Sequence, residues 1–87
     1  MEQQILANAD ILEVEVAIPE GHRHVRTIVR LRDGGEIILQ EATVANLVRA
    51  FVTVKTDPQK SSCRLVAREL PEGQRKKGFA PWQLLEE

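Results

Sequence analysis

Two segments in which apolar and polar residues alternate strictly constrain the fold of this chain more than any other feature. Residues 10–18 read DILEVEVAI and residues 25–32 read VRTIVRLR. A period of two is typical of β-strands with one buried face, and the Pro- and Gly-containing segment 19–24 between them favours a turn. The sequence therefore predicts an antiparallel hairpin. Its apolar face is predicted to carry Leu12, Val14, Val16 and Ile18 from the first strand and Val25, Thr27, Val29 and Leu31 from the second.

A second hairpin signal follows at residues 32–37, RDGGEI, where an aspartate and two glycines favour a tight turn. The third strand, EIILQ, then returns beside the second. A one-residue slip would exchange its two faces, and a two-residue loop would produce that slip. We favour a three-residue loop. This register predicts the following neighbours: Ile37 and Leu39 on the apolar face, Glu36 opposite Arg32, and Ile38 on the polar face beside Arg30.

Residues 43–54, TVANLVRAFVTV, have apolar side chains at helical spacing, and Thr43 is a suitable N-cap. Residues 63–71 are predicted to form a fourth strand, and the apolar tail 79–87 is predicted to fold back, anchored by Trp82. The predicted fold is a small single α+β domain, residues 1–87, of order β-β-β-α-β. One helix packs on one face of its antiparallel sheet. The expected core is Leu12, Val14, Val16, Ile18, Val25, Val29, Leu31, Ile37, Leu39, Val44, Leu47, Val48, Phe51 and Leu65.

The composition bears on partners and compartment. The 12 basic and 13 acidic residues nearly balance, so no global field draws the chain to nucleic acid or to an anionic membrane. No apolar run approaches the ~18 residues of a membrane span, and no signal peptide is visible, so we expect a cytoplasmic protein without membrane contact. The single cysteine, Cys63, excludes an intramolecular disulfide. A domain of this size has a small core, which by itself contributes little stability. We therefore expect self-association to stabilise the fold.

No pattern in the chain is typical of a catalytic, cofactor or metal site. His22 and His24 form an H-x-H pair, but two ligands are too few for zinc, and a solvated turn explains them as well. Cys63 lacks an assigned base and reads as a small packing residue. Glu13 and Glu15 share one strand face, but acid/base catalysis would also need an enclosed pocket. We therefore expect no enzyme activity, no cofactor and no small-molecule substrate.

Four arginines lie within residues 22–32, a segment that contains no acidic residue. On the polar face of the sheet, Arg26, Arg30 and Arg32 could read DNA, because guanidinium groups suit phosphates and guanine edges. The other interpretation is cross-strand ion pairing with Glu13, Glu15 and Glu36. DNA binding is the alternative function.

The favoured function is a small, soluble, non-enzymatic interaction module that binds itself or another protein. In the predicted register, Ile11, Ile28 and Ile38 form an apolar row on the polar face, rimmed by Glu and Arg as in many protein interfaces. Scattered exposed apolar residues are also ordinary on monomers, so the row by itself does not decide. The candidate interface residues are Ile11, Ile28, Ile38 and Trp82.

Overall fold

The computed structural model describes residues 3–87 of the chain. It is an α+β structure of order β-β-β-α-β-β, which confirms the predicted class and adds a strand formed by the tail. Short 3₁₀ turns precede the first strand, at Asn8–Asp10, and the last strand, at Glu72–Gln74. The main elements are β1 (Ile11–Ala17), β2 (Arg26–Leu31), β3 (Glu36–Gln40), α1 (Glu41–Thr56), β4 (Leu65–Glu69) and β5 (Trp82–Glu86).

The chain divides into two compact units, the first ending at Val44 and the second running from Ala45 to Glu87. The first unit contains the antiparallel sheet, in the order β1-β2-β3. Val14 lies opposite Val29, and Ile37 lies opposite Val29 on its other side. Directly paired residues of an antiparallel sheet share a face. The predicted division into an apolar and a polar face is thus confirmed for β2, for β3 and for β1 from Glu13 onward, but it is wrong for Ile11, which lies opposite Leu31.

The turn between β2 and β3 is a three-residue loop, as predicted, but it begins one residue earlier. The Leu31 N–H donates to the Gly35 carbonyl at 2.8 Å, which closes the loop around residues 32–34. Gly34 has a φ of 95°, a conformation that L side chains rarely adopt, and the Asp33 carboxylate accepts the Gly35 N–H at 2.8 Å. The loop therefore needs glycine at position 34.

This earlier turn changes the cross-strand partners of β3 without exchanging its faces. Glu36 lies opposite Arg30 instead of Arg32, and Ile38 lies opposite Ile28 instead of beside Arg30. Each β3 residue is displaced by two positions along β2, which is one full period of the strand. For that reason Ile37 and Leu39 still face the apolar side.

In the second unit, β4 pairs antiparallel with β5 as a separate two-stranded sheet. The prediction that the tail folds back is confirmed, because Trp82 lies opposite Glu69 and Leu70 N–H donates to the Pro81 carbonyl at 2.8 Å. The indole, however, is 59% exposed. Trp82 is held by its backbone pairing and not by burial of its side chain, which corrects the predicted anchor.

The predicted core was wrong for both units, because none of the described residues is fully buried. Val16 remains 65% exposed, and Phe51 in α1 remains 64% exposed. An apolar sheet face is buried only when a second layer covers it. Within the described part of the first unit, the three strands form one layer, and none of its residues is fully buried.

Candidate interaction surface

An apolar surface of the first unit lies on one side of the three-stranded sheet. Its residues form two rows across the strands, and we call them together the apolar sheet face. The register places these rows as Val14, Val29 and Ile37, followed by Val16, Thr27 and Leu39. Val14 and Val16 are 51% and 65% exposed, and Ile37 is 42% exposed. The face contains no charged residue.

Two further apolar residues extend β1 at its ends. Leu12 is 60% exposed and lies where the register shifts between Ile11 and Glu13, and Ile18 follows the strand and is 58% exposed. Accessible aliphatic side chains therefore lie near both ends of the edge strand β1. Isolated exposed apolar residues are ordinary, but a contiguous set of this kind is typical of a contact surface.

The opposite side of the sheet is organised around Arg30. Its guanidinium lies 3.0 Å from a carboxylate oxygen of Glu13, 3.0 Å from one of Glu15 and 3.4 Å from one of Glu36. The hydrogen bond with Glu15, followed by the charges of both β1 glutamates, raises the pKa of Arg30. One arginine on β2 thus joins three acidic residues, two on β1 and one on β3, which is the cross-strand pairing predicted as an alternative to DNA reading.

The other two candidate arginines have different surroundings. Arg32 lies in the turn and donates through Nε to the Ala9 carbonyl at 2.9 Å. Arg26 is exposed at the start of β2, opposite Ala17 and Gln40. The structure therefore does not bring the three guanidinium groups into one row.

The predicted isoleucine row is reduced to a pair. Ile28 and Ile38 lie directly opposite each other, as neighbours on the polar face. Ile11 does not join them, because the irregularity between Ile11 and Glu13 places Ile11 opposite Leu31. An extra residue in one strand shifts the pairing beyond it by one position, and the faces change with it. Glu15 occupies the place beside Ile28 instead.

A contact that the sequence did not reveal ties the start of β2 to the start of α1. The Glu41 carboxylate accepts the Val25 N–H at 3.1 Å, and its other oxygen lies 2.9 Å from His24 Nδ1. The hydrogen bond with His24, followed by the one from Val25, lowers the pKa of Glu41. Only the position of a glutamate at the first helical turn could have suggested such a role.

Neither histidine of the H-x-H pair belongs to a metal-binding arrangement. Across residues 3–87, no group of three or more His, Cys, Asp or Glu side chains lies close enough together to hold an ion. The second ligand candidate, His24, instead faces Glu41.

The second unit has a cavity of about 170 Å³ between α1 and the β4–β5 hairpin. The helix contributes small or polar side chains to it, whereas four of its large apolar side chains do not line it and are about half exposed or more. The cavity is lined by Asn46, Ala50, Thr53, Cys63, Leu65 and Leu84, among others. We call the exposed apolar residues the helix stripe, which consists of Leu47, Val48, Phe51 and Val52.

One residue that lines this cavity, Glu86, forms an ion pair. Lys60 Nζ lies 2.7 Å from a Glu86 carboxylate oxygen. That hydrogen bond raises the pKa of Lys60 and lowers the pKa of Glu86, so both groups are held in their charged forms. Cys63 is half-buried, forms no disulfide and lies close to both groups.

Comparisons of the chain with protein-family models, with curated proteins and with solved structures found no match. In the part of the chain that the structure describes, no helix is long and apolar enough to cross a membrane.

Proposed function

We propose that this chain is a non-enzymatic interaction module that binds a protein, either a second copy or a different chain, through the apolar sheet face. One observation carries the proposal. Two complete rows of uncharged side chains cross three strands, and the β1 residues in them, Val14 and Val16, are more than half exposed. Water contact with such a surface is costly, and burial against a partner removes the cost.

The distribution of charge supports the same side of the sheet. Interfaces have a core depleted of charged residues and a polar rim. Docking on the apolar sheet face desolvates no charged group. Docking on the other side would bury Arg30 and the carboxylates around it, at a cost in desolvation free energy. A protein partner with an apolar surface therefore fits this side better.

Ile28 and Ile38, the isoleucine pair of the polar face, remain a second predicted contact surface for a protein partner. Ile28 is half-buried and Ile38 is 52% exposed, and both are flanked by charges on neighbouring strands. Trp82, 59% exposed on the second unit, remains a predicted contact residue as well. Ile11, paired with Leu31, belongs with the apolar sheet face in this proposal.

The contacts of Arg30 and Arg32 argue against DNA binding as a second function. Phosphate contacts need accessible guanidinium groups, yet Arg30 hydrogen-bonds to two carboxylates and Arg32 donates to a backbone carbonyl. The acidic residues on the same face would also repel phosphate groups.

Affinity capture of the tagged full chain from its native host, with and without nuclease, tests the proposal. Val16→Lys places a charge in the apolar sheet face, and Ile38→Lys places the same charge on the opposite face as a matched control. We expect a nuclease-resistant partner, including an untagged copy of the chain, that is lost with Val16→Lys and kept with Ile38→Lys. The reverse pattern would assign the contact to the isoleucine pair. Loss of every partner on nuclease treatment would favour DNA.

A further inference from the structure

We propose that the occupant of the apolar sheet face is a second copy of this chain, with the two sheets packed face to face around a two-fold axis. This inference rests on the proposed function and adds the identity of the partner.

The chemistry of the face favours a copy of itself. A two-fold contact sets the same patch against itself, so each residue must tolerate its own kind across the interface. The rows through Val14 and Val16 contain aliphatic side chains and a single threonine, with no charge that would meet a like charge. A partner with a charged docking surface would find no complementary group here.

The size of the face also fits a pair of sheets. With strands ~4.8 Å apart and ~3.3 Å per residue, three strands of five to seven residues offer a flat area of roughly 300 Å². Two such faces have a flat area of roughly 600 Å² in total, to which the relief of the side chains adds, and a contact of this size lies at the low end of protein interfaces. We therefore expect a reversible dimer that dissociates on dilution.

Packing two sheets would supply the layer that the first unit lacks. Aligned sheets pack ~10 Å apart, and the side chains of their inner faces interdigitate as a core. None of the described residues of the first unit is fully buried without such a layer. Because association then contributes to folding, the melting temperature should rise with protein concentration.

Sedimentation equilibrium of the wild-type chain across a dilution series measures the association directly. A chemical cross-link identifies the surface. In a Cys63→Ser background, Val16→Cys puts the only thiol on the apolar sheet face, and Ile38→Cys puts it on the opposite face. A bis-maleimide that spans ~10 Å, the separation of packed sheets, should join two Val16→Cys chains and leave Ile38→Cys chains single.

The outcomes separate this inference from the function on which it rests. A wild-type chain that remains monomeric at several hundred micromolar would refute the inference that a second copy occupies the apolar sheet face. A dimer that cross-links through position 38 instead of position 16 would refute it as well. If the chain is monomeric but Val16→Lys still removes a different captured protein, the proposed function stands and only the identity of the partner fails. A monomer whose captured proteins are unaffected by Val16→Lys overturns both.

Discussion

Truncation of Val16 to alanine gives a quantitative test of the face-to-face dimer. The substitution removes two methyl groups from a side chain that is 65% exposed in the single chain. Burial is worth about 0.8 kcal/mol per methylene-sized group, so the exposed share corresponds to about 1 kcal/mol per subunit. A two-fold interface contains the change twice, which makes about 2 kcal/mol per dimer. The dissociation constant should therefore rise about 30-fold.

Sedimentation equilibrium at several loading concentrations measures this change, and circular dichroism confirms that the strands are retained. Ile38→Ala is the matched control, because Ile38 is 52% exposed on the opposite face and its truncation should leave the dissociation constant unchanged. A change of less than about three-fold for Val16→Ala would refute the reasoning. An equal effect of both substitutions would do so too.

Three further predictions concern the first unit and the turn chemistry. Gly34→Ala should lower the free energy of unfolding by about 1–2 kcal/mol in urea titrations, because φ is 95° while no atom lies within 4 Å of the added Cβ; Gly73→Ala, equally unhindered and without a positive φ, should cost nothing. Arg30→Met should lower the melting temperature, and added salt should restore part of the loss by screening the three carboxylates; no salt effect would contradict the ion-pair interpretation. The lowered pKa of Glu41 means that its contribution to stability is present above the ordinary value of 4.5 and disappears as pH falls through the folded-state pKa. The melting temperatures of the wild type and Glu41→Gln should therefore differ at neutral pH and converge in acid, and a constant difference would argue against the contact.

The sequence by itself determined the strands, their faces and the type of turn. Alternation is a local property, because successive side chains of a strand point to opposite sides whatever the strand pairs with. For that reason Val14 and Val16 were assigned correctly to one face, and the Asp-Gly-Gly turn was predicted with the right number of loop residues. The helix was predicted from the helical spacing of its apolar residues, and the return of the tail was predicted from its apolar composition, which are local features too.

Only the tertiary structure decided which residues meet and which faces stay open. The irregularity beside Ile11 removed it from the isoleucine row, and a turn one residue earlier gave Arg30 a third carboxylate, that of Glu36. Each of these depends on the hydrogen bonds of two strands at once, which the pattern of a single strand does not contain. An alternating pattern states which face avoids water, but not what covers it. That is why residues predicted to form a core, Val16 among them, are exposed in this chain.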